Sequence, residues 1–458
     1  MTKLTCISPI DGAVVAVRES LPVAQAIARC QSALAAQRAW AALPLAERVA
    51  LVRKGCALIG EQTERMTREL AVQMGRPVRY GGEFRGFNER VQYMCDIAEE
   101  SLKPMVVEDS ATSLRQITRE PLGVVLVIAP WNYPYMTAIN TIAPALVAGN
   151  AVLIKHSEQT LLVGEHLAEA FTAAGIPPEV LGNIFLDHET TATLISGRHV
   201  QFVNFTGSVR GGKAIEVAAA GTFIGVATEL GGKDPAYIRA DANLEAAVDG
   251  VLDGAMFNAG QCCCGIERIY VHESLYEAFV AKAVAWTRGL KLGNPLDPET
   301  TIGPMANIRF ARTVREQVAE AVAAGAIAHI APMPADDGGA YVTPQILTNV
   351  THQMRVMREE TFGPVACIMP VKDDEEAIAL MNDSDYGLTV SIWTSDVAAA
   401  EAIGARVETG TVFMNRCDYL DPALCWTGCK DTGRGAGLSV LGYQALTRPK
   451  SYHLKKKV

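Results

Sequence analysis

The chain has 458 residues, of which 49% are hydrophobic and 20% charged, with a formal net charge of −9. That apolar fraction, with a mean hydropathy of +0.14, excludes a disordered chain, and the acidic balance excludes a broad nucleic-acid or anionic-membrane surface, which needs dense Lys and Arg. Eleven cysteines over this length are too dilute for a disulfide framework.

The N-terminus, Met1-Thr-Lys-Leu-Thr-Cys6, lacks the basic region and apolar core of a secretory signal. The most apolar long window, residues 137–154, is interrupted by Asn140, Pro144, Gly149 and Asn150. It reads as a buried helix and strand rather than a membrane span. A cytoplasmic protein with reduced thiols is expected. The first hundred residues are Ala-rich with helical spacing of apolar positions, Pro44 opening one helix and Gly75-Arg-Pro77 stopping another. From about residue 120 the texture changes to short apolar runs alternating with helices. Strands are predicted at 124–129, 151–154, 200–205 and 223–227, with helices over 136–148, 158–174 and 210–220. The alternation returns with strands near 266–271, 365–370, 388–393 and 410–414. This order implies an α/β fold built on right-handed parallel sheets. The tail from Thr447 alternates apolar and polar residues before three lysines, and reads as a solvated end or as an edge strand pairing with a neighbouring subunit.

Gly207-Ser-Val-Arg-Gly-Gly-Lys213 fits the first seven positions of a P-loop, but Ala214 stands where Mg²⁺ ligation needs a hydroxyl. What survives is a strand, a small-residue turn and a helix N-terminus suited to an anion such as a pyrophosphate. The Gly-x-Gly-x-x-Gly fingerprint is absent, so any dinucleotide is held in a non-standard way. Phe257-Asn-Ala-Gly-Gln-Cys-Cys-Cys264 is the most unusual stretch. Three adjacent thiols have little structural rationale, because chain neighbours do not all face one core, and a loop presenting one nucleophilic thiol is the sharper reading. No metal site is expected: no His or paired Cys lies at ligand spacing nearby, and Cys425 and Cys429 lack a second pair. Upstream, Glu229-Leu-Gly-Gly-Lys233 follows a predicted strand. Its glycines allow close backbone approach and movement of a carboxylate acting as a base through water.

Together, Glu229-Leu-Gly-Gly-Lys233, Gly260-Gln-Cys-Cys263 and Pro130-Trp-Asn-Tyr-Pro134 resemble the aldehyde dehydrogenase superfamily. The 34-residue separation of Glu229 and Cys263 matches that family's base-to-nucleophile spacing, and the resemblance thereby selects the middle thiol. Further matches run in family order through Lys155-His-Ser-Glu158, Phe205-Thr-Gly-Ser208, Glu359-Glu-Thr-Phe-Gly-Pro364 and Gly428-Cys-Lys-Asp-Thr-Gly-Arg434, so the resemblance covers essentially the whole chain. It implies a Rossmann-type cofactor domain (1–102 and 122–229), an α/β catalytic domain (230–446) and small oligomerisation strands (103–121 and 447–458), assembled as a homodimer or homotetramer. It also implies Cys263 as nucleophile, Asn132 with the Cys263 N–H as oxyanion donors, and Glu229 as the base that hydrolyses a thioester.

For the cofactor, Lys155 and Glu158 would grip the adenosine ribose. Gly207 and Ser208 would hold the pyrophosphate, Trp131 would pack nearby, and Glu360 and Phe362 would position the nicotinamide end, with Ile128, Leu230 and Gly231 completing the set. A carboxylate at 158 favours NAD over NADP, although Lys155 could help hold a phosphate. Tyr133, Tyr419 and Trp426 are expected as aromatic walls of the substrate pocket, beside Cys262 and Cys264. Asp418 and Asp421 could favour a cationic group, and Arg416 is the single candidate for an anionic one. The chain departs from the common pattern at His156, where Pro is usual, and at Thr427, which replaces a Gly. The expected reaction is oxidation of an aldehyde to its acid with NAD. The alternatives are an NADP-preferring semialdehyde or aminoaldehyde dehydrogenase, a CoA-acylating enzyme (disfavoured by Glu229), a thiol hydrolase (disfavoured because no His is placed to activate Cys263) and a non-catalytic scaffold.

Overall fold

The computed structural model describes residues 2–457. Met1 and Val458, the outermost residues of the expected cofactor and oligomerisation segments, lie outside the described residues. Two parallel sheets organise the chain. The first has six strands in the order Gly433–Arg434, Gly225–Glu229, Phe202–Thr206, Val124–Ile128, Ala151–Lys155 and Leu181–Asn183. Every pairing in it is parallel except that of Gly433–Arg434. Val124–Ile128 is buried at all five positions, as a strand covered by helices on both faces must be. The second sheet has seven strands: Ile327–Ala328, Gln345–Thr348, Val365–Val371, Ile266–His272, Asp234–Ile238, Thr389–Trp393 and Thr411–Met414. Among the described residues, no helix is long and apolar enough to cross a membrane.

The sheets are joined by residues 230–233, which run from the C-terminal end of one strand to the N-terminal end of another. A cleft therefore opens between the C-terminal edge of the first sheet and the N-terminal edge of the second. In the first sheet Val124–Ile128 has a later strand on either side, the chain reversal at which open parallel sheets bind ligands.

Most predicted strands lie within a residue or two of those observed. The strand expected at 223–227 instead spans Gly225–Glu229. Phe223 is 98% exposed with φ 62°, a turn residue whose apolar side chain mimics a strand start. Glu229 is therefore the last residue of the strand. Asp234–Ile238 was not predicted, because Pro235 reads as a breaker. It is central to its sheet, and the register shifts at Asp234/Pro235 to absorb the missing donor. An N-terminal hairpin, Lys3–Ile7 with Val14–Glu19, was also missed. The tail strand Thr447–Lys455 pairs antiparallel with Ser113–Pro121 of the same chain over nine residues, with Met105–Asp109 outside it.

Candidate active site

The cleft between the sheets has a volume of about 1760 Å³, and Cys263 lies half-buried at its floor. The loop carrying Cys263 starts from a strained turn: Asn258, Ala259 and Gly260 all have left-handed backbones (φ 55°, 57° and 69°), which non-glycine residues rarely adopt in succession. Gly260 is required there because a Cβ would come within 2.2 Å of the Gly363 carbonyl. The turn is held by Gln261, whose side chain donates to Asn258 O (3.0 Å) and accepts from Ala306 N (2.7 Å).

The tight turn brings the three consecutive sulfurs within 4.8 Å of one another. This corrects the expectation that adjacent thiols cannot share one environment, which holds for extended or helical backbone and fails in this loop. The Cys262 and Cys264 thiols are 3.5 Å apart, and both donate to Asp418 Oδ1, at 3.2 and 3.1 Å. Each of these thiols has one hydrogen, for which Asp418 and Cys263 compete, and the share that reaches Cys263 pulls its pKa down to about 6 against the opposing effect of burial. Asp418 lies inside the cleft, and burial raises it well above the carboxylate range, so it is bound to the thiols as a neutral acid.

Asn132 follows the strand Val124–Ile128, and its amide donates to Gln261 O at 3.2 Å, tying it to the cysteine loop. The Cys263 N–H has no acceptor among the described residues. A buried pair, Arg76 and Glu83, holds the Asn132 segment. Arg76 donates to Glu83 at 2.8 Å and to the Asn132 carbonyl, while Glu83 accepts the Tyr135 and Met136 N–H groups at 3.0 and 2.7 Å. Glu83 thus occupies the N-terminus of the helix Pro134–Val147, where an anion is favoured.

Glu229 faces the cleft and accepts from Thr206 Oγ1 at 3.3 Å; burial raises it to about 7. The glycines after it answer to close packing. A Cβ on Gly231 would fall 2.3 Å from Glu360 Oε1, and one on Gly232 would fall 2.5 Å from the Cys263 carbonyl. Glu360 accepts from Gly232 N at 3.1 Å. The residues after Glu360 are anchored by Glu267, which accepts the Thr361 and Phe362 N–H groups and pairs with buried Lys233.

The expected cofactor residues Ile128, Trp131, Lys155, Glu158, Gly207, Ser208, Leu230, Gly231, Glu360 and Phe362 all line this cleft. Ser208 caps the eleven-residue helix Val209–Ala219, accepting from Gly211 N at 3.2 Å. Lys155 Nζ has no partner among the described residues and is lowered by burial. Glu158 uses one oxygen on the Thr5 N–H at 2.8 Å, so the unforeseen hairpin braces it. Trp131 stacks on Phe310 (5.2 Å) and meets Phe362 edge-on (5.5 Å). A helix N-terminus, an unpartnered ammonium beside a carboxylate, and an aromatic corner spread along one cleft fit a dinucleotide. His156 is buried, accepting from Ser157 N and bonding Pro134 O, and burial lowers it to about 4; it is a neutral brace.

Toward the other mouth lie Tyr133, Tyr419 and Trp426. Tyr133 stacks under Arg76, and its buried hydroxyl has no partner among the described residues. Tyr419 donates to Glu89 at 2.5 Å and stacks under Arg416. Asp421 turns away to cap its own loop at Ala423 N. Sequence reasoning missed Arg76, Glu83, Glu89, Arg90 and Thr206. Glu89 and Arg90 sit within a helical stretch, where a charge reads as part of a solvated face, and Arg76 and Glu83 lie in the loops before it with no motif around them.

The family model described as the aldehyde dehydrogenase family matches residues 1–452. The chain is 33% identical to succinate-semialdehyde dehydrogenase (NADP+) of Deinococcus radiodurans over 445 residues, covering 97% of this chain and 93% of the relative. It is 32% identical to betaine aldehyde dehydrogenase of Bacillus subtilis (strain 168) over 425 residues, covering 91% and 86%. The crystal structure of succinic semialdehyde dehydrogenase from Streptococcus pyogenes in complex with NADP+ superposes with a TM-score of 0.94 at 27% identity, covering 99% of this chain and 100% of that one. With the same fold over its length and a family match over nearly all of its sequence, this chain belongs to the aldehyde dehydrogenase family and is an NAD(P)-dependent enzyme that oxidises aldehydes.

Proposed function

We propose that the chain oxidises an aldehyde to its carboxylic acid, with Cys263 as nucleophile, Asn132 and the Cys263 N–H as oxyanion donors, and Glu229 as the base for hydrolysis. The observation that carries this reading is a half-buried thiol of lowered pKa sharing one cleft with a carboxylate raised toward neutrality. A thiolate near neutral pH attacks a carbonyl without a dedicated base. The developing oxyanion is met by the second Asn132 amide hydrogen and the Cys263 N–H, fixed before reaction by the Gln261 and Arg76 contacts. Bound NAD(P)+ supplies the hydride acceptor, so that aldehyde, water and NAD(P)+ give carboxylate, NAD(P)H and two protons. Glu229, partly ionised at pH 7, takes a proton from the water that releases the acyl group from Cys263.

In this reading the first sheet carries the cofactor and the second presents the reacting thiol. Gly207, Ser208 and the helix behind them hold the pyrophosphate, Lys155 and Glu158 the adenosine ribose, and Glu360 and Phe362 the nicotinamide end. The three-stranded arm is the homo-oligomer contact, supported by Met105, Val106 and Val107, which are all more than half exposed. A reducing cytoplasm suits a chain whose eleven cysteines are all free. The relatives act on aldehydes of opposite charge, and both classes enter the test. Purified protein with an aldehyde panel should form NAD(P)H, and Cys263→Ala should form none. Glu229→Gln should give one rapid turnover per site and then a rate at least about 100-fold slower. Full steady-state turnover by Cys263→Ala would sink the mechanism.

A further inference from the structure

Arg90 is the unexplained charge of the aldehyde mouth. The helix Phe84–Asp96 points Gly86, Glu89 and Arg90 into the cleft at three- and four-residue spacing. Gly86 lets this helix approach the helix Pro134–Val147, since a Cβ there would fall 2.3 Å from the Met136 sulfur. Arg90 crosses the gap. One terminal nitrogen, Nη1, donates to the Met136 carbonyl (2.7 Å) and Asn140 Oδ1 (3.2 Å).

A guanidinium has five donor hydrogens. The two on Nη1 are spent, and the three on Nε and Nη2 have no acceptor among the described residues. Arg90 is only 7% exposed, yet those nitrogens are not sealed in the protein, and Arg90 lines the cleft. No carboxylate lies within ion-pairing distance of it among the described residues. Glu83 is committed to Arg76 and two backbone N–H groups, and Glu89 accepts from Tyr419. A buried cation without a partner is costly, and its free Nε/Nη2 edge is the fork that receives a carboxylate through two parallel hydrogen bonds. The charge of Glu229 reaches Arg90 across the cleft, but no hydrogen bond joins the two among the described residues and burial raises Glu229 toward neutrality. Asp418 Oδ1 is bound to two thiols, and burial raises Asp253.

We propose that Arg90 is the substrate-specificity residue, gripping the distal carboxylate of a short ω-carboxylate aldehyde through its Nε/Nη2 edge while the aldehyde carbon meets Cys263. This rests on Cys263 as the nucleophile and adds the substrate class. Uncharged and cationic aldehydes leave the fork unpaired, which a buried guanidinium penalises.

The test compares 4-oxobutanoate, butanal and 4-(trimethylammonio)butanal, matched in chain length and differing in charge. Wild-type protein should favour 4-oxobutanoate over butanal by about 10- to 100-fold in kcat/KM, with the cation poorest. Arg90→Gln should collapse the 4-oxobutanoate to butanal ratio to within about threefold, mainly through KM, and Arg90→Lys should restore part of it. A second readout needs neither cofactor nor turnover. Succinate should slow alkylation of Cys263 by iodoacetamide in wild type and not in Arg90→Gln. A wild-type preference for butanal or the cation overturns the proposal. So does an Arg90→Gln variant that loses all three aldehydes in parallel, which marks a structural role. Failure to form NAD(P)H from any aldehyde would instead overturn the dehydrogenase reading, and succinate protection would still decide whether Arg90 binds a carboxylate.

Discussion

At the scale of single residues, the proposed chemistry depends on two groups moved toward neutrality from opposite sides. Cys263 is lowered to about 6 by the thiols beside it, so its reactive thiolate is present above that pH and lost as pH falls through it. Iodoacetamide alkylation of Cys263 should rise with pH to a midpoint near 6. Cys262→Ala or Cys264→Ala should move the midpoint upward, and an unmoved midpoint would show that the flanking thiols play no part. Glu229 is raised to about 7 by burial, so its base form grows as pH rises through 7. The same shift has a stability consequence of definite sign. A carboxyl whose folded pKa lies above its unfolded value binds its proton more tightly when folded, and stability falls as pH rises from about 4.5 to about 7. Glu229→Gln removes that penalty. It should be more stable than wild type by about 3 kcal/mol at pH 8 and similar at pH 4.5, read by chemical denaturation at the two pH values.

At the scale of elements, the proposed oxyanion site depends on a helix N-terminus and a buried ion pair. Glu83 accepts two N–H groups of the helix Pro134–Val147 and holds Arg76, which in turn grips the Asn132 carbonyl. Glu83→Gln keeps the shape but leaves Arg76 buried and unpaired. The expected cost is about 3–5 kcal/mol in denaturant unfolding, with a lower kcat from a loosened Asn132. A stability change below about 1 kcal/mol would remove this pair from the account. Gly232 makes the parallel case for the link between the sheets, because its missing side chain lets that link pass against the Cys263 carbonyl. The residue pattern Glu-Leu-Gly-Gly was legible in the sequence. The packing reason for the glycines was not, since Glu360 and Cys263 are distant in the chain.

For the whole molecule, the three-stranded arm has little core of its own. Its middle strand, Ser113–Pro121, is half-buried at every position except Arg115, and its outer strands are largely exposed. A small sheet of that kind needs a partner surface. Removing residues 447–458 should take away the nine-residue strand and shift the mass measured by light scattering toward the monomer. An unchanged oligomer would place the subunit contact elsewhere.

The sequence by itself determined the parallel α/β class, most of the alternation of strands and helices, and the candidates for the reacting groups. Those signals are local: short apolar runs between helices, and a thiol, a carboxylate and an amide each set in a short motif. Tertiary structure alone decided what surrounds them. It placed Asp418 against two thiols, braced Glu158 with an N-terminal hairpin, and turned Arg90 inward with three donors free. An isolated charge in a helical stretch carries the same local pattern whether it meets water or a cleft, and only the packing of distant segments sets its electrostatics.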